Sequence, residues 1–127
     1  MPKPPPDAAP PILIADDDLN FCLQLSHFLE QIGHRCVTAQ DADQCVTVAH
    51  RERPKLIILD MQMPGGGAPE AVKFLSAPRF ADVPIVFASG MPVAQMKKWF
   101  PEAPKRRYLK KPFKLPELKK LVDELLA

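Results

Sequence analysis

The sequence predicts an α/β domain of five βα units, in which a doubly wound, parallel five-stranded sheet is covered by helices on both faces. Three observations lead there. Short continuous apolar runs recur along the chain and read as strands buried on both faces. Between them lie segments whose apolar residues return every three or four positions, the period of an amphipathic helix. The two kinds alternate, which favours parallel pairing joined by right-handed crossovers. A chain of 127 residues suits one domain and can bury a core without disulfide or metal staples.

Six of the first eleven residues are proline, so residues 1–10 read as an extended tail that builds no core. Residues 11–127 form the domain. Pro11-Ile12-Leu13-Ile14-Ala15 is the first strand. Leu19, Cys22, Leu25, Phe28, Leu29 and Ile32 mark the first helix, and Gly33 stands where it stops. His34 to Thr38 is a weaker second strand. Asp41 and Gln44 have capping-box spacing ahead of Ala42, Cys45, Val46 and Ala49, and Pro54 breaks that helix. Lys55 to Asp60 is the clearest strand. Met61 to Gly67 is a loop, after which Pro69 suits a first helical turn and Val72, Phe74 and Leu75 supply apolar positions. Pro84 to Ala88 is the fourth strand. A short helix through Met96 and Phe100 ends at Pro101, and Arg107-Tyr108-Leu109 is the fifth strand. Pro116 opens a last helix with Leu118, Leu121, Val122 and Leu125 on one side.

Composition narrows the class. With 46% hydrophobic and 25% charged residues, the chain has the make-up of an ordinary globular protein. No apolar run approaches the ~18 residues of a membrane span, and the start lacks the apolar stretch of a secretory signal, so the expected location is cytoplasmic. Cys22, Cys36 and Cys45 are odd in number, match no zinc spacing and read as reduced thiols. The net charge of +2 hides an asymmetry: residues 97–120 hold ten of the 17 basic residues and two of the 15 acidic ones. That segment therefore carries +8 and the rest of the chain −6. It is either a solvated charged face or a docking surface for an acidic partner. Nucleic acid is not expected as a partner, because no recognition motif accompanies the charge.

In open parallel sheets, ligands sit beyond the carboxyl ends of the strands. Here those ends carry Asp16-Asp17-Asp18, Asp60, Ser89-Gly90 and Lys110-Lys111-Pro112. Each has a plain structural use, as a helix cap, a turn former or a surface residue. Together they make a chemical set. Clustered carboxylates repel unless a cation compensates them, and an all-oxygen acidic cluster suits Mg²⁺. A hydroxyl and an ammonium beside it can hold the other oxygens of a phosphoryl group. The set suits formation of an acyl phosphate on an aspartate.

Through ILIADDD, LIILDMQMPG, PIVFASG and YLKKPF, in that order and spacing, residues 11–127 resemble the response-regulator receiver domains of two-component signalling. The resemblance implies a flavodoxin-like (βα)5 fold, with Asp60 as the phosphoacceptor. Asp17 would ligate Mg²⁺ directly, Asp16 would share that task or act through a water, and the backbone carbonyl of Gln62 would complete the metal site. Ser89 would be the switch hydroxyl and Lys111 would bridge to the phosphoryl group; Lys110 is one place too early. Tyr108 matches the aromatic whose rotamer reports the state. The phosphoryl group would come from a histidine kinase or phosphotransfer protein, and the output face would be the fourth helix, fifth strand and fifth helix, acting on a downstream protein target.

The sequence departs from that pattern at Pro64-Gly65-Gly66-Gly67-Ala68-Pro69, where a loop expected to be mobile without metal or phosphate replaces a Met-Asp-Gly stretch. The fourth helix is short, between Pro92 and Pro101. Because the output region coincides with the +8 segment, an acidic partner is expected to dock between the fourth and fifth helices, through Lys97, Lys98 and Lys119. Gln62 and Met91, each two residues beyond Asp60 and Ser89, should flank the path of an attacking water. Apolar Met91 orients water poorly while Gln62 could act oppositely by holding it; of the two, a phosphorylated lifetime of minutes or more is expected. The rival readings are a receiver-fold module that binds partners without phosphorylation, a small phosphohydrolase using Asp60, and a nucleotide or flavin module. The first would lack an acid, lysine or hydroxyl. The second would place an aspartate where Gln62 stands, and the third needs a phosphate-binding loop where three aspartates follow the first strand. The chain is expected to be either a single-domain regulator or a receiver from a longer protein.

Overall fold

The computed structural model describes residues 9–127, so residues 1–8 of the proline-rich tail lie outside the described residues. The elements alternate: β1 (Ile12–Ala15), α1 (Leu19–Gln31), β2 (Cys36–Ala39), α2 (Ala42–Glu52), β3 (Leu56–Asp60), α3 (Gly67–Leu75), β4 (Ile85–Ser89), α4 (Val93–Trp99), β5 (Arg106–Lys110) and α5 (Leu115–Leu126). A 3₁₀ turn, Pro78–Phe80, sits between α3 and β4. All pairings are parallel and the strand order is β2-β1-β3-β4-β5, the flavodoxin-like arrangement. The order reverses between β1 and β3, which puts a crevice at their carboxyl ends.

Strand alternation sends side chains to two cores. Leu13, Ala15, Ile57, Leu59 and Phe87 pack with residues of α2, α3 and α4, including Cys45, Ala71, Leu75 and Met96. Ile12, Ile14, Leu56, Ile58, Val86 and Ala88 pack with α1 and α5 through Cys22, Leu25, Leu29, Leu118 and Val122. β1 and β3 are buried at every position, as their unbroken apolar runs require.

The local signals act as their chemistry dictates. Asp18 caps α1 by accepting from Phe21 N–H at 3.1 Å, and Asp41 caps α2 by accepting from Gln44 N–H at 2.7 Å. The Gln44 side chain reaches back to Gln40 N–H rather than to that of Asp41, so the expected box closes one residue early. β2 runs Cys36–Ala39 instead of His34–Thr38, because its register follows Ile12–Ala15 of β1. α3 starts two residues before Pro69, at Gly67, and β5 gains a residue at each end through pairing with β4. Two expected apolar positions face out. Leu19 (51% exposed) lies in the first turn of α1 beyond the end of β1, and Phe74 (48%) is turned outward by the inward line Ala68, Ala71, Leu75.

The three thiols are free. Burial pushes Cys22 up to about 11 and Cys36 and Cys45 up to about 12, which holds them in the unreactive thiol form. No helix among the described residues is long and apolar enough to cross a membrane.

Candidate functional site

Register brings the acidic residues together. Ala15 pairs with Leu59 and Asp60 with Ala88, so Asp16, Asp60 and Ser89 emerge side by side at the sheet edge. All three are buried, at 2%, 7% and 2% exposure, while Asp17 is exposed beside them. Asp16, Asp17 and Asp60 each place a carboxylate oxygen within 4.8 Å of the other two. Three hard oxygen donors, two buried and one open to solvent, fit a Mg²⁺ ion that keeps part of its water shell.

Backbone hydrogen bonds orient the set. Asp16 Oδ1 accepts from Asp18 N–H at 2.9 Å, Asp60 Oδ1 from Gln62 N–H at 3.3 Å and Ser89 Oγ from Met91 N–H at 3.3 Å. β5 supplies the cation. Ser89 pairs with Lys110, and Lys111 N–H donates to Ser89 C=O at 2.7 Å. Side-chain alternation then turns Lys110 outward, where it is exposed, and Lys111 inward. Lys111 Nζ lies 2.5 Å from Asp16 Oδ2 and 4.2 Å from the centroid of the Phe21 ring.

Electrostatics separates Asp60 from its neighbours. Burial raises its carboxyl from 3.8 to about 6; Lys111 and the Gln62 N–H oppose the rise, and Asp16 and Asp17 add to it. The nearest cation is engaged by Asp16, so the buried Asp60 carboxylate has no ion-pair partner of its own among the described residues. A desolvated carboxylate oxygen in such a setting can serve as a nucleophile.

The remaining candidates are distributed around this centre. Gln62 and Met91 line one concavity of ≈ 350 Å³ with Met61, Met63, Pro69 and Trp99, formed in part by the residues that follow Asp60 in the chain. The loop before α3 is tied by Ala42 N–H to Pro64 C=O at 3.1 Å and by Ala68 N–H to Met61 C=O at 3.3 Å. Its glycines all have positive φ, and at Gly67 a Cβ would stand 2.7 Å from Met61 O. Tyr108 stacks on Phe87, which stacks on Phe100, and the tyrosine hydroxyl donates to Phe100 C=O at 2.5 Å. Tyr108, Lys97, Arg106, Arg107 and Leu121 line a groove of ≈ 520 Å³ between α4, β5 and α5.

The three lysines expected at the docking surface do not converge. Lys97 lines that groove and pairs with Glu102 at 2.7 Å; Lys98 is exposed next to it. Lys119 lies about 200° around α5 from Leu121, pairs with Asp123 at 2.6 Å, and is close enough to His34 to act on it. Sequence reasoning also missed Phe21. It packs at the edge of the core in line with Leu25, Phe28 and Ile32, and an aromatic at that helical spacing four residues past Asp17 was the available signal.

Comparison with known proteins decides the family. Residues 12–123 match the response regulator receiver domain. The chain belongs to this family. Receiver domains are phosphoacceptor signalling modules of two-component systems rather than enzymes, and the acidic triad is typical of their Mg²⁺ site. Among relatives, protein PilH of Pseudomonas aeruginosa is 28% identical over 117 residues, covering 91% of this chain and 97% of PilH. The transcriptional regulatory protein PdtaR of Mycobacterium tuberculosis is 30% identical over 115 residues, covering 88% of this chain and 55% of PdtaR. The receiver domain thus spans nearly all of PilH and about half of PdtaR. In structure it is similar to the chemotaxis protein CheY4 of Vibrio cholerae, with a TM-score of 0.82, 25% identity and coverage of 91% of this chain and 98% of CheY4.

Proposed function

We propose that this receiver domain is a cytoplasmic, Mg²⁺-dependent switch that accepts a phosphoryl group on Asp60 from a histidine kinase or phosphotransfer protein. The observation that carries this reading is the Asp60 carboxylate itself: buried at the end of β3, within 4.8 Å of Asp16 and Asp17 oxygens and, among the described residues, without an ion-pair partner of its own. An Asp60 oxygen attacks phosphorus, the bond from phosphorus to the donor histidine nitrogen breaks, and the electron pair stays on the imidazole. Asp16, Asp17, Asp60 and the Gln62 carbonyl would hold Mg²⁺. When bound, the ion neutralises the carboxylates and the phosphoryl oxygens. Lys111 offers its ammonium and Ser89 its hydroxyl to the remaining oxygens.

Output is assigned to the groove of α4, β5 and α5, which Tyr108 and Lys97 line and beside which Lys98 is exposed, a charge that favours an acidic protein partner. Exposure of wild type and Asp60→Asn to acetyl phosphate with Mg²⁺, followed by intact mass, tests the centre of this reading. A phosphoryl adduct on wild type alone is expected; an adduct on both, or on neither, overturns it.

A further inference from the structure

We propose that Phe21 is a positioning residue for Lys111, its ring holding the ammonium at the mouth of the acidic cluster so that it is at hand when Asp60 takes up a phosphoryl group. The inference rests on the reading of Asp60 given above and assigns a role to a residue which that reading leaves unused.

The geometry is that of a cation confined on two sides. Lys111 Nζ has Asp16 Oδ2 at 2.5 Å on one side and the Phe21 ring centroid at 4.2 Å on the other, well inside the ~6 Å reach of a cation–π contact. The ring is braced in turn: Phe113 meets it edge-on, centroids 5.9 Å apart at 84°. Phe113 lies two residues after Lys111, so one turn of chain supplies both the lysine and the support for its aromatic seat. Core packing accounts for only part of Phe21, which lies at the edge of the core shared by α1 and α5. The buried stripe of α1 is Cys22, Leu25 and Leu29, and Phe21 is only half-buried.

The seat matters because both oxygens of Asp16 already hold a partner. Its Oδ1 accepts from Asp18 N–H and its Oδ2 from Lys111. A metal ion drawn to Asp16 competes with the ammonium for the carboxylate's charge and weakens its hold on Oδ2. A lysine released onto a long flexible stem would swing into solvent and give up its place. The π-face of Phe21 keeps it beside the site without competing for the carboxylates, since a ring attracts the ammonium but does not bind a hydrated Mg²⁺ tightly.

The test is a coupling measurement on the full chain. Phosphorylation by acetyl phosphate with Mg²⁺ is followed against donor concentration for wild type, Phe21→Leu, Lys111→Ala and the double variant. Phe21→Leu should lower the maximal rate by about three- to tenfold with little change in half-saturating donor, and should have no further effect once Lys111 is alanine. A pentafluorinated phenylalanine at position 21, which keeps the shape but reverses the charge of the ring face, should reproduce the loss, and Phe21→Tyr should restore the rate. An unchanged rate in Phe21→Leu overturns the proposal. So does an equal loss with and without Lys111, or a fluorinated ring that behaves as wild type. A wild-type chain that takes up no phosphoryl group refutes the reading of Asp60 instead, and the two failures are told apart by that control.

Discussion

Replacing Asp60 by asparagine should make the domain more stable at neutral pH in the absence of divalent metal. The carboxyl is raised from 3.8 to about 6, chiefly by burial. Below pH 3.8 it is protonated in both folded and unfolded chains and carries no penalty. Between those two values the unfolded chain ionises while the folded one resists. Above about 6 both are ionised, and the folded state bears the full cost of a buried charge. Stability contributed by the neutral carboxyl is therefore lost as pH rises through this window. At 1.36 kcal/mol per pH unit the loss is about 3 kcal/mol, an upper figure because solvent and side-chain relaxation reduce it. Asparagine keeps the shape, can still accept from Gln62 N–H, and leaves the Lys111–Asp16 pair intact. Urea unfolding in EDTA should place Asp60→Asn about 1–3 kcal/mol above wild type at pH 7.5, a midpoint shift of roughly 1 M, and the gap should close toward pH 4. Equal midpoints at pH 7.5, or a gap that does not depend on pH, would refute the assignment of Asp60 as a buried, destabilising charge.

Four further outcomes follow from the same structure. Mg²⁺ at a hundred times its Kd should stabilise wild type by about 2.7 kcal/mol in the same assay, and Asp17→Asn or Asp60→Asn should lose most of that gain. Gly67→Ala, which forces φ +65° on a residue with a Cβ 2.7 Å from Met61 O, should cost about 1–3 kcal/mol in urea unfolding. Met91→Gln should shorten the lifetime of the phosphorylated form up to about tenfold in a dephosphorylation time course, by giving the attacking water an acceptor on the wall it shares with Gln62. Lys97→Glu and Lys98→Glu should each weaken binding of a labelled acidic peptide to the phosphorylated domain by about two- to fivefold at low salt, with Lys119→Glu close to neutral.

The fold was legible because the strands are buried on both faces. Ile12–Ala15 and Leu56–Leu59 have no polar face to blur their limits, so periodicity alone located them. β2 is the counter-example. It is an edge strand whose pairing with β1, not its own composition, sets where it begins, and so its limits moved by two residues at the start. The site was legible for a related reason: in a parallel sheet every strand delivers its last residue to one edge, so order and spacing stand in for distance. What escaped lies on helices. Whether the flank of α5 that carries Lys119 meets α4 depends on how the helices pack, and the partner of Lys111 depends on a ring from α1 that no strand-end rule identifies. Ion pairs escaped too. The +8 of the basic segment includes Arg107 and Lys119, which are answered by Glu124 and Asp123 from outside it, so formal charge overstates the field that a partner meets.

The route from Asp60 to the basic groove is short and has a definite energy scale. Ser89 closes β4; Phe87, two residues earlier, lies on the opposite face of the sheet from Val86 and Ala88 and is stacked on Phe100 at 4.5 Å and on Tyr108 at 5.7 Å. Phe100 follows the last residue of α4, and its carbonyl is held by the Tyr108 hydroxyl. On the proposed reading, a Tyr108 that changes rotamer must surrender this hydrogen bond and leave the end of α4 without its partner. One such bond is worth about 0.5–1.5 kcal/mol net, and the lost stacking on Phe87 adds a comparable amount. A charge-assisted bond from Ser89 or Lys111 to a phosphoryl oxygen is of the same size or larger. The balance is close enough for one covalent event to tip it. The shortness of α4 works in the same direction: a helix of seven residues between two prolines has little packing of its own to resist the movement.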